Sequence, residues 1–307
     1  MSDDDTSRLD LEFTGIYLHS DALATLTAET AELSEKNIDH ALLYFYMSGK
    51  WYGLKKPDAI VSACALQLNP PQLYFLSPNG RVYKRIQGQD SVEVIDKNDD
   101  GPSDLLQMKA MRLIGGELYV VGMARRAYKR GPDGVWQAID GSCFVPRGER
   151  KESLGFNAVA GQGPTNIYAV GYKGEIWHFD SRVWHQELSP TNLTLTCIVC
   201  ESNGSVFAAG LSGILLVKQG QKWEVLPQTK TKDNFWGMVA FRGAIYVSTQ
   251  SGIFKVVGQD LEPVALTSMP APSSGLLGST TSTMWSVGNK DIFSTSDGLS
   301  WVRINNP

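Results

Sequence analysis

The chain repeats itself. The segments GELYVVGMARRAYKRGPDGVWQAI, TNIYAVGYKGEIWHFDSRVWHQEL, GSVFAAGLSGILLVKQGQKWEVLP, GAIYVSTQSGIFKVVGQDLEPVAL and STMWSVGNKDIFSTSDGLSWVRI align on Tyr119, Tyr168, Phe207, Tyr246 and Trp285, at spacings of 49, 39, 39 and 39 residues. A sixth copy, PQLYFLSPNGRVYKRIQGQDSVEVI, is anchored at Tyr74, 45 residues before Tyr119. Six copies cover residues 60–304. Such a period belongs to arrays in which each unit buries its apolar faces against its neighbours.

Each copy has one internal grammar. The anchor lies in a short alternating run, a Gly-x-x-Gly turn follows (Gly171 to Gly174, Gly210 to Gly213), and a second apolar run opens at Ile176, Ile214, Ile253 or Ile292. This is two strands joined by a tight turn. Trp136, Trp184, Trp223 and Trp301 open a third run, and one more strand-like run (FNAVAG, TLTCIVC, FWGMVAF, LLGSTT) precedes the anchors. Four strands in about 40–45 residues describe a β-propeller blade, because a helical repeat of that period would space its apolar residues by three and four.

Residues 1–59 follow the grammar less closely. In SDALATLTAETAELSEK, Leu23, Leu26 and Leu33 share a face, with Asp21 in the first turn and Lys36 in the last, so the pattern predicts a helix over 21–36. EFTGIYLH before it reads as a strand, and ALLYFYMSGKWYGL after it as a hairpin turning at Ser48-Gly49. The expected architecture is an all-β propeller forming one domain over 1–307. Residues 1–59 make an irregular first blade with an N-terminal helical insertion, 60–304 make six repeat blades, and seven blades result. Six blades with an N-terminal cap is the alternative. Either way, the N-terminal strands and the 274–304 copy must meet to close the ring.

The copies resemble the blades of bacterial propellers that carry an Asp-box-like turn before the fourth strand. The fullest instance is Ser294-Thr-Ser-Asp297-Gly298-Leu-Ser300-Trp301, which has Ser296 where that pattern places its first Asp. The Trp-Asp signature of WD-type blades and the diglycines of kelch blades do not occur. Asp-box propellers include sialidases, and that resemblance implies an arginine cluster for a substrate carboxylate and a tyrosine–glutamate nucleophile pair. Arg81, Arg112, Arg125, Arg126, Arg147, Arg242 and Arg303 are the arginines that could converge, and none sits in a sialidase motif.

Composition narrows the function. With 42% hydrophobic, 10% aromatic and 20% charged residues the chain is an ordinary globular one. It has no apolar run long enough for a bilayer and begins with the acidic MSDDDTSRLD, so we expect a cytoplasmic protein without a membrane association. Cys64, Cys143, Cys197 and Cys200 are expected to be free thiols, and the CxxC pair 197/200 to point to opposite faces of a strand. Residues 1–40 carry ten carboxylates against Arg8 and Lys36, a balance of −8, so a net charge of −4 leaves the body at +4. No Lys/Arg stripe suited to a phosphate backbone forms, which argues against direct nucleic-acid binding.

One local motif points to a metal. In Asp96-Lys-Asn98-Asp-Asp100-Gly101-Pro-Ser-Asp104, oxygen side chains at positions 1, 3, 5 and 9 with Gly at 6 follow a calcium-loop spacing, so Asp96, Asn98, Asp100 and Asp104 are the expected Ca2+ ligands. Gln107 stands at position 12, where an EF-hand has its bidentate glutamate, and the competing reading is a solvated acidic turn. No phosphate loop, no G-x-S-x-G elbow and no catalytic constellation is present.

That leaves the loops. The turns between second and third strands and the blade-to-blade connections of a propeller open on one face, where partners bind. Arg125, Arg126, Arg147, Arg150, Tyr172, Lys173, Lys232, Asp233, Phe235 and Trp236 are the partner-binding candidates there, since Arg and aromatic residues dominate hot spots. Bacterial immunity proteins that occlude a secreted toxin include cytosolic propellers of similar character. The resemblance implies a non-enzymatic inhibitor whose partner is a protein, and the acidic N-terminal segment suits a basic toxin or a nuclease. A sialidase-like glycan-active propeller is the second reading, and a scaffold subunit of an intracellular complex the third.

Overall fold

The computed structural model describes residues 10–96, 101–102, 106–146, 149, 154–266, 273–289 and 291–307. These residues form seven antiparallel sheets of four strands, and every sheet uses four strands consecutive in the chain. The first strands of the blades, Leu11–Ser20, Ser62–Leu66, Met108–Ile114, Phe156–Gly163, Leu195–Cys200, Gly237–Phe241 and Leu276–Ser279, line a common axial channel. The fourth strands, from Lys50–Lys56 in blade 1 to Val302–Ile304 in blade 7, form the rim.

The repeat anchors show how one blade holds the next. Tyr74, Tyr119, Tyr168, Tyr246 and Trp285 all stand on second strands. Each packs toward a tryptophan at the fourth strand of the following blade: Tyr74 with Trp136, Tyr119 with Trp184, Tyr168 with Trp223, Tyr246 with Trp301 and Trp285 with Trp51. Between Tyr168 and Trp223 the rings meet edge-on at 6.1 Å. Two of these joints carry the same charged brace. Glu93 of blade 2 accepts two hydrogen bonds from Arg130, at 2.7 and 2.8 Å, and one from Trp136 Nε1, at 3.1 Å. Glu187 after blade 4 accepts from Lys218, at 2.8 Å to each oxygen, and from Trp223 Nε1.

The helix expected over 21–36 is corrected to a strand followed by a single turn. Leu23–Thr30 is the second strand of blade 1, paired on both sides (Leu26 with Ile16 and with Tyr44), and the helix is confined to Ala31–Glu35. The leucine spacing concealed a period of two: Ala24 and Leu26 bury against the seventh blade, while Thr25 and Thr27 are buried on the other face. Pairing on two edges and β-branched threonines outweigh the helix propensity of Ala, Leu and Glu. The strand and the hairpin expected on either side are present. Ser48 (φ 49°) and Gly49 (φ 79°) both take the left-handed region that a two-residue hairpin turn needs.

The ring closes by packing, without strand exchange between the termini. Ile16, Ala24 and Leu26 of blade 1 share a buried cluster with Trp285, Val287, Ile292 and Ile304 of blade 7. Trp51 Nε1 donates to Asn305 O at 2.7 Å, and Asp21 accepts from the hydroxyls of Thr280 and Ser282. The Asp-box-like turn behaves as its residues suggest. One Asp297 oxygen accepts from the amides of Leu299 and Ser300, both at 2.7 Å, and these bonds hold the carboxyl down at about 2.

A candidate partner-binding face at the channel mouth

The loops of one side of the ring are bound into a continuous surface. Met123 N donates to Gln107 O at 2.9 Å, Tyr172 N to Gly155 O at 3.1 Å, and Leu211 N to Thr194 O at 3.0 Å, so in blades 3, 4 and 5 the turn after the second strand is tied to the connection entering its own blade. Glycine makes this approach possible. A Cβ on Gly171 would collide with the carbonyl oxygen of Gly155, and one on Gly210 with that of Thr194. Side chains link neighbouring blades on the same face. The Arg125 guanidinium forks onto Glu175 at 2.7 and 3.0 Å and lies over Trp177, and Asn234 Oδ1 accepts from Ser212 N at 2.8 Å. A face held this way loses little freedom when it binds.

The structure sorts the sequence candidates into three groups. Tyr172 is half-buried, and Lys173, Lys232, Asp233 and Trp236 are exposed on this face. Trp236 is 43% accessible and lines the mouth of the channel. Arg125 is committed to Glu175, which raises the guanidinium's proton affinity. Two candidates are corrected from surface to interior. Arg126 is 5% exposed: its guanidinium pairs with Asp140 and Asp96, both at 3.2 Å, donates to Tyr128 Oη, and stacks at 4.4 Å from the Phe144 ring. Phe235 is fully buried among Leu215, Leu226, Met238 and Leu261, because it begins the packing of blade 6. Arg147 and Arg150 lie outside the described residues.

Of the calcium-loop residues, Asn98, Asp100 and Asp104 also lie outside the described residues. Asp96 takes the left-handed conformation (φ 35°) and accepts from Arg126. Among the described residues no group of three or more His, Cys, Asp or Glu side chains is placed to hold a metal. All four cysteines are free thiols. Cys197 packs toward blade 6 and Cys200 toward blade 4, and burial pushes them up to about 11 and about 12.

The sialidase constellation does not assemble among the described residues. Arg81, Arg125, Arg126 and Arg303 are each held by a local carboxylate. One tyrosine–glutamate pair exists, Tyr119 Oη donating to Glu117 at 3.2 Å, but burial and the glutamate charge raise that phenol instead of activating it as a nucleophile.

Two features of the face escaped sequence reasoning. The strand 2–3 loop of blade 1, which holds the short helix, places the exposed Glu32, Glu35 and Asp39 beside Ile38 and near Asp10 and Glu12 on the channel-mouth side. Among the described residues these five carboxylates make one acidic sector of this face, across the ring from Lys173 and Lys232, while Asp21 lies at the other end of the strands, against Thr280 and Ser282. The second feature is a set of bulges. In blades 1, 3, 4 and 5 the first strand slips by one residue, at Thr14, Lys109, Asn157 and Thr196, and all four side chains line the channel mouth. Asn157 and Thr196 donate to backbone carbonyls of the next blade, at 2.9 Å (Leu195) and 2.6 Å (Phe235). The only sequence signal was one polar residue in an apolar run, a pattern that ordinary strands also show.

Known proteins resemble the chain at two levels. No family model matches it. Among solved structures, virginiamycin B lyase from Staphylococcus aureus superposes with a TM-score of 0.71 at 12% identity, covering 94% of this chain and 95% of that one. Sqt1 from Saccharomyces cerevisiae gives a TM-score of 0.64 at 11% identity, covering 97% and 86%. Both likenesses are of fold. In sequence, the chain is 34% identical over 297 residues to the immune protein Tsi7 of Pseudomonas aeruginosa, covering 95% of this chain and 96% of Tsi7. An identity of that size over nearly the full length of both chains is one of descent, and the protein belongs to the Tsi7 family of immune proteins.

Proposed function

We propose that this protein is a cytoplasmic immunity protein that binds a cognate bacterial toxin and occludes it, without catalysing a reaction of its own. The full-length relationship to an immune protein carries the reading. The rigid, multi-blade face around the channel mouth supports it, since several loops can contact one partner with little ordering on association. The toxin docks on this face, with Trp236 as the central apolar anchor and Tyr172, Lys173, Lys232 and Asp233 around it. The acidic sector of blade 1 favours a partner with a basic patch, such as a nuclease, and speeds the encounter.

The test is a titration of the purified chain into its purified cognate toxin, with toxin activity followed in parallel. Stoichiometric loss of activity together with a tight complex is the expected result. Deleting residues 1–8, which include Asp3, Asp4 and Asp5, slows association and flattens its salt dependence. A glycosidase turnover by the chain alone, abolished by one carboxylate substitution, would overturn the reading.

A further inference from the structure

Among the described residues, the channel behind the mouth contains positive charge and no carboxylate in its wall. Its larger part encloses about 520 Å3 and its mouth about 190 Å3, and Arg112 lines both. The charged side chains along the two parts are Arg112 and Lys109; no Asp or Glu lines either among the described residues. His19, also in the wall, is held neutral, because burial lowers it to about 4.

Arg112 differs from the other arginines that face structure. Arg81, Arg85, Arg125, Arg126, Arg130 and Arg303 each have a carboxylate within salt-bridge distance. Arg112 uses only Nη1, toward Met111 O at 3.0 Å and Ser62 Oγ at 3.4 Å. These two neutral contacts fix the plane of the guanidinium and leave its Nε–Nη2 edge without a partner among the described residues. Lys109, at the bulge, donates to the amide oxygen of Gln107 at 2.9 Å and has no carboxylate partner among the described residues. Burial lowers its proton affinity, as expected of a cation without a counter-charge. Ile16, Leu18, Ile114, Ile198 and Met238 bring apolar side chains to the same wall, which also holds Gln67 and Ser279.

We propose that the axial channel is a binding site for a small organic acid, whose carboxylate takes the open Nε–Nη2 edge of Arg112 under the field of Lys109 and whose apolar body lies along the inner strands. The free edge of a guanidinium matches a carboxylate bidentately, and a cavity of a few hundred Å3 with a few oriented polar groups among apolar side chains is a normal small-molecule site. The site does not depend on the toxin-binding reading, since it needs no partner protein.

The full chain is titrated calorimetrically with hexanoate, with hexanamide and with inorganic phosphate. Saturable binding of hexanoate is expected, with the uncharged amide at least about tenfold weaker. Arg112→Gln weakens hexanoate by about tenfold or more, and Lys109→Gln, which lacks the direct contact, by a smaller factor. Without any variant, hexanoate affinity falls as pH drops through the ordinary carboxylate range while the amide is unaffected. Equal binding of acid and amide, no saturable hexanoate binding up to about 10 mM, or a folded Arg112→Gln that binds hexanoate as the parent does would each overturn the proposal. Phosphate binding without hexanoate binding would overturn it as well, leaving an inorganic-anion site in its place.

Discussion

Trp285, on the second strand of the last blade, meets Trp51, on the outer strand of the first, edge-on with ring centroids 6.3 Å apart, and Tyr46 fills the angle between them at 4.9 Å from Trp51 and 5.1 Å from Trp285. This is the joint found at Tyr168 and Trp223, transposed to the place where the two ends of the chain come together. Trp285→Ala is expected to cost about 3–5 kcal/mol, as for other large buried aromatics. In a double-mutant cycle Trp51→Ala and Trp285→Ala should couple by about 0.5–1.5 kcal/mol. Urea unfolding measures both, and a cost for Trp285→Ala below about 1 kcal/mol would show that the seam is held elsewhere.

Arg126 distinguishes an interior brace from a contact residue. Its removal leaves Asp140 buried without its ion pair, and burial already raises that carboxyl. Arg126→Ala should therefore destabilise the fold by about 3–5 kcal/mol. A drop in melting temperature with toxin affinity kept in the folded fraction is the expected pair of results. An unchanged melting temperature would count against the brace.

Acid should weaken the ring through His19. The imidazole is buried, shares a 2.8 Å hydrogen bond with Thr25 Oγ1 and is lowered by burial to about 4 from 6.5. The unfolded chain takes up this proton before the folded one does, so the stability contribution is full above pH 6.5, lost as pH falls from there toward 4, and constant below. The loss across that window is about 3 kcal/mol. His19→Gln should flatten the difference between denaturant midpoints at pH 7 and pH 4.5, and an equally steep variant would rule the histidine out as its cause.

On the partner face, Trp236→Ala and Lys232→Glu should weaken the toxin complex mainly through faster dissociation, by about tenfold or more for the tryptophan. Glu32→Lys with Glu35→Lys should lower the association rate and its salt dependence instead. None of the four substitutions touches a buried partner, so thermal melts should match the parent. Surface plasmon resonance separates the two rate effects, and full affinity in Trp236→Ala would place the interface off the channel mouth.

All six anchors and four of the five outer tryptophans were legible because they recur in register, and a recurring aromatic in an alternating run has few explanations other than a repeated blade. Blade 1 hid itself. Its second strand, LATLTAET, has no aromatic anchor, and its leucines coincide with a helical spacing, so Trp51 was not recognised as the counterpart of Trp184. Sequence reasoning put Arg126 and Phe235 on the right face but at the wrong depth. Whether a loop arginine faces water depends on where the nearest acid lies in space, and Asp140 and Asp96 are 14 and 30 residues from Arg126 in sequence. The channel cations were hidden for the opposite reason: Lys109 reaches the channel only because a bulge turns it inward.

Every sheet is built from four strands in sequence, and that order governs when protection begins. A chain leaving the ribosome completes and flanks its blades one after another, with mostly local contacts and little delay. Throughout that time the blade 1 flank that carries Ile16 and Leu26 stays uncovered, because the residues of the last blade that pack on it lie at 285–304. A product that stops after the sixth blade would have two bare apolar flanks and a gap where its axial channel should be. Such a fragment is expected to self-associate instead of giving partial immunity, so a cell holding only unfinished chains is as vulnerable as one holding none.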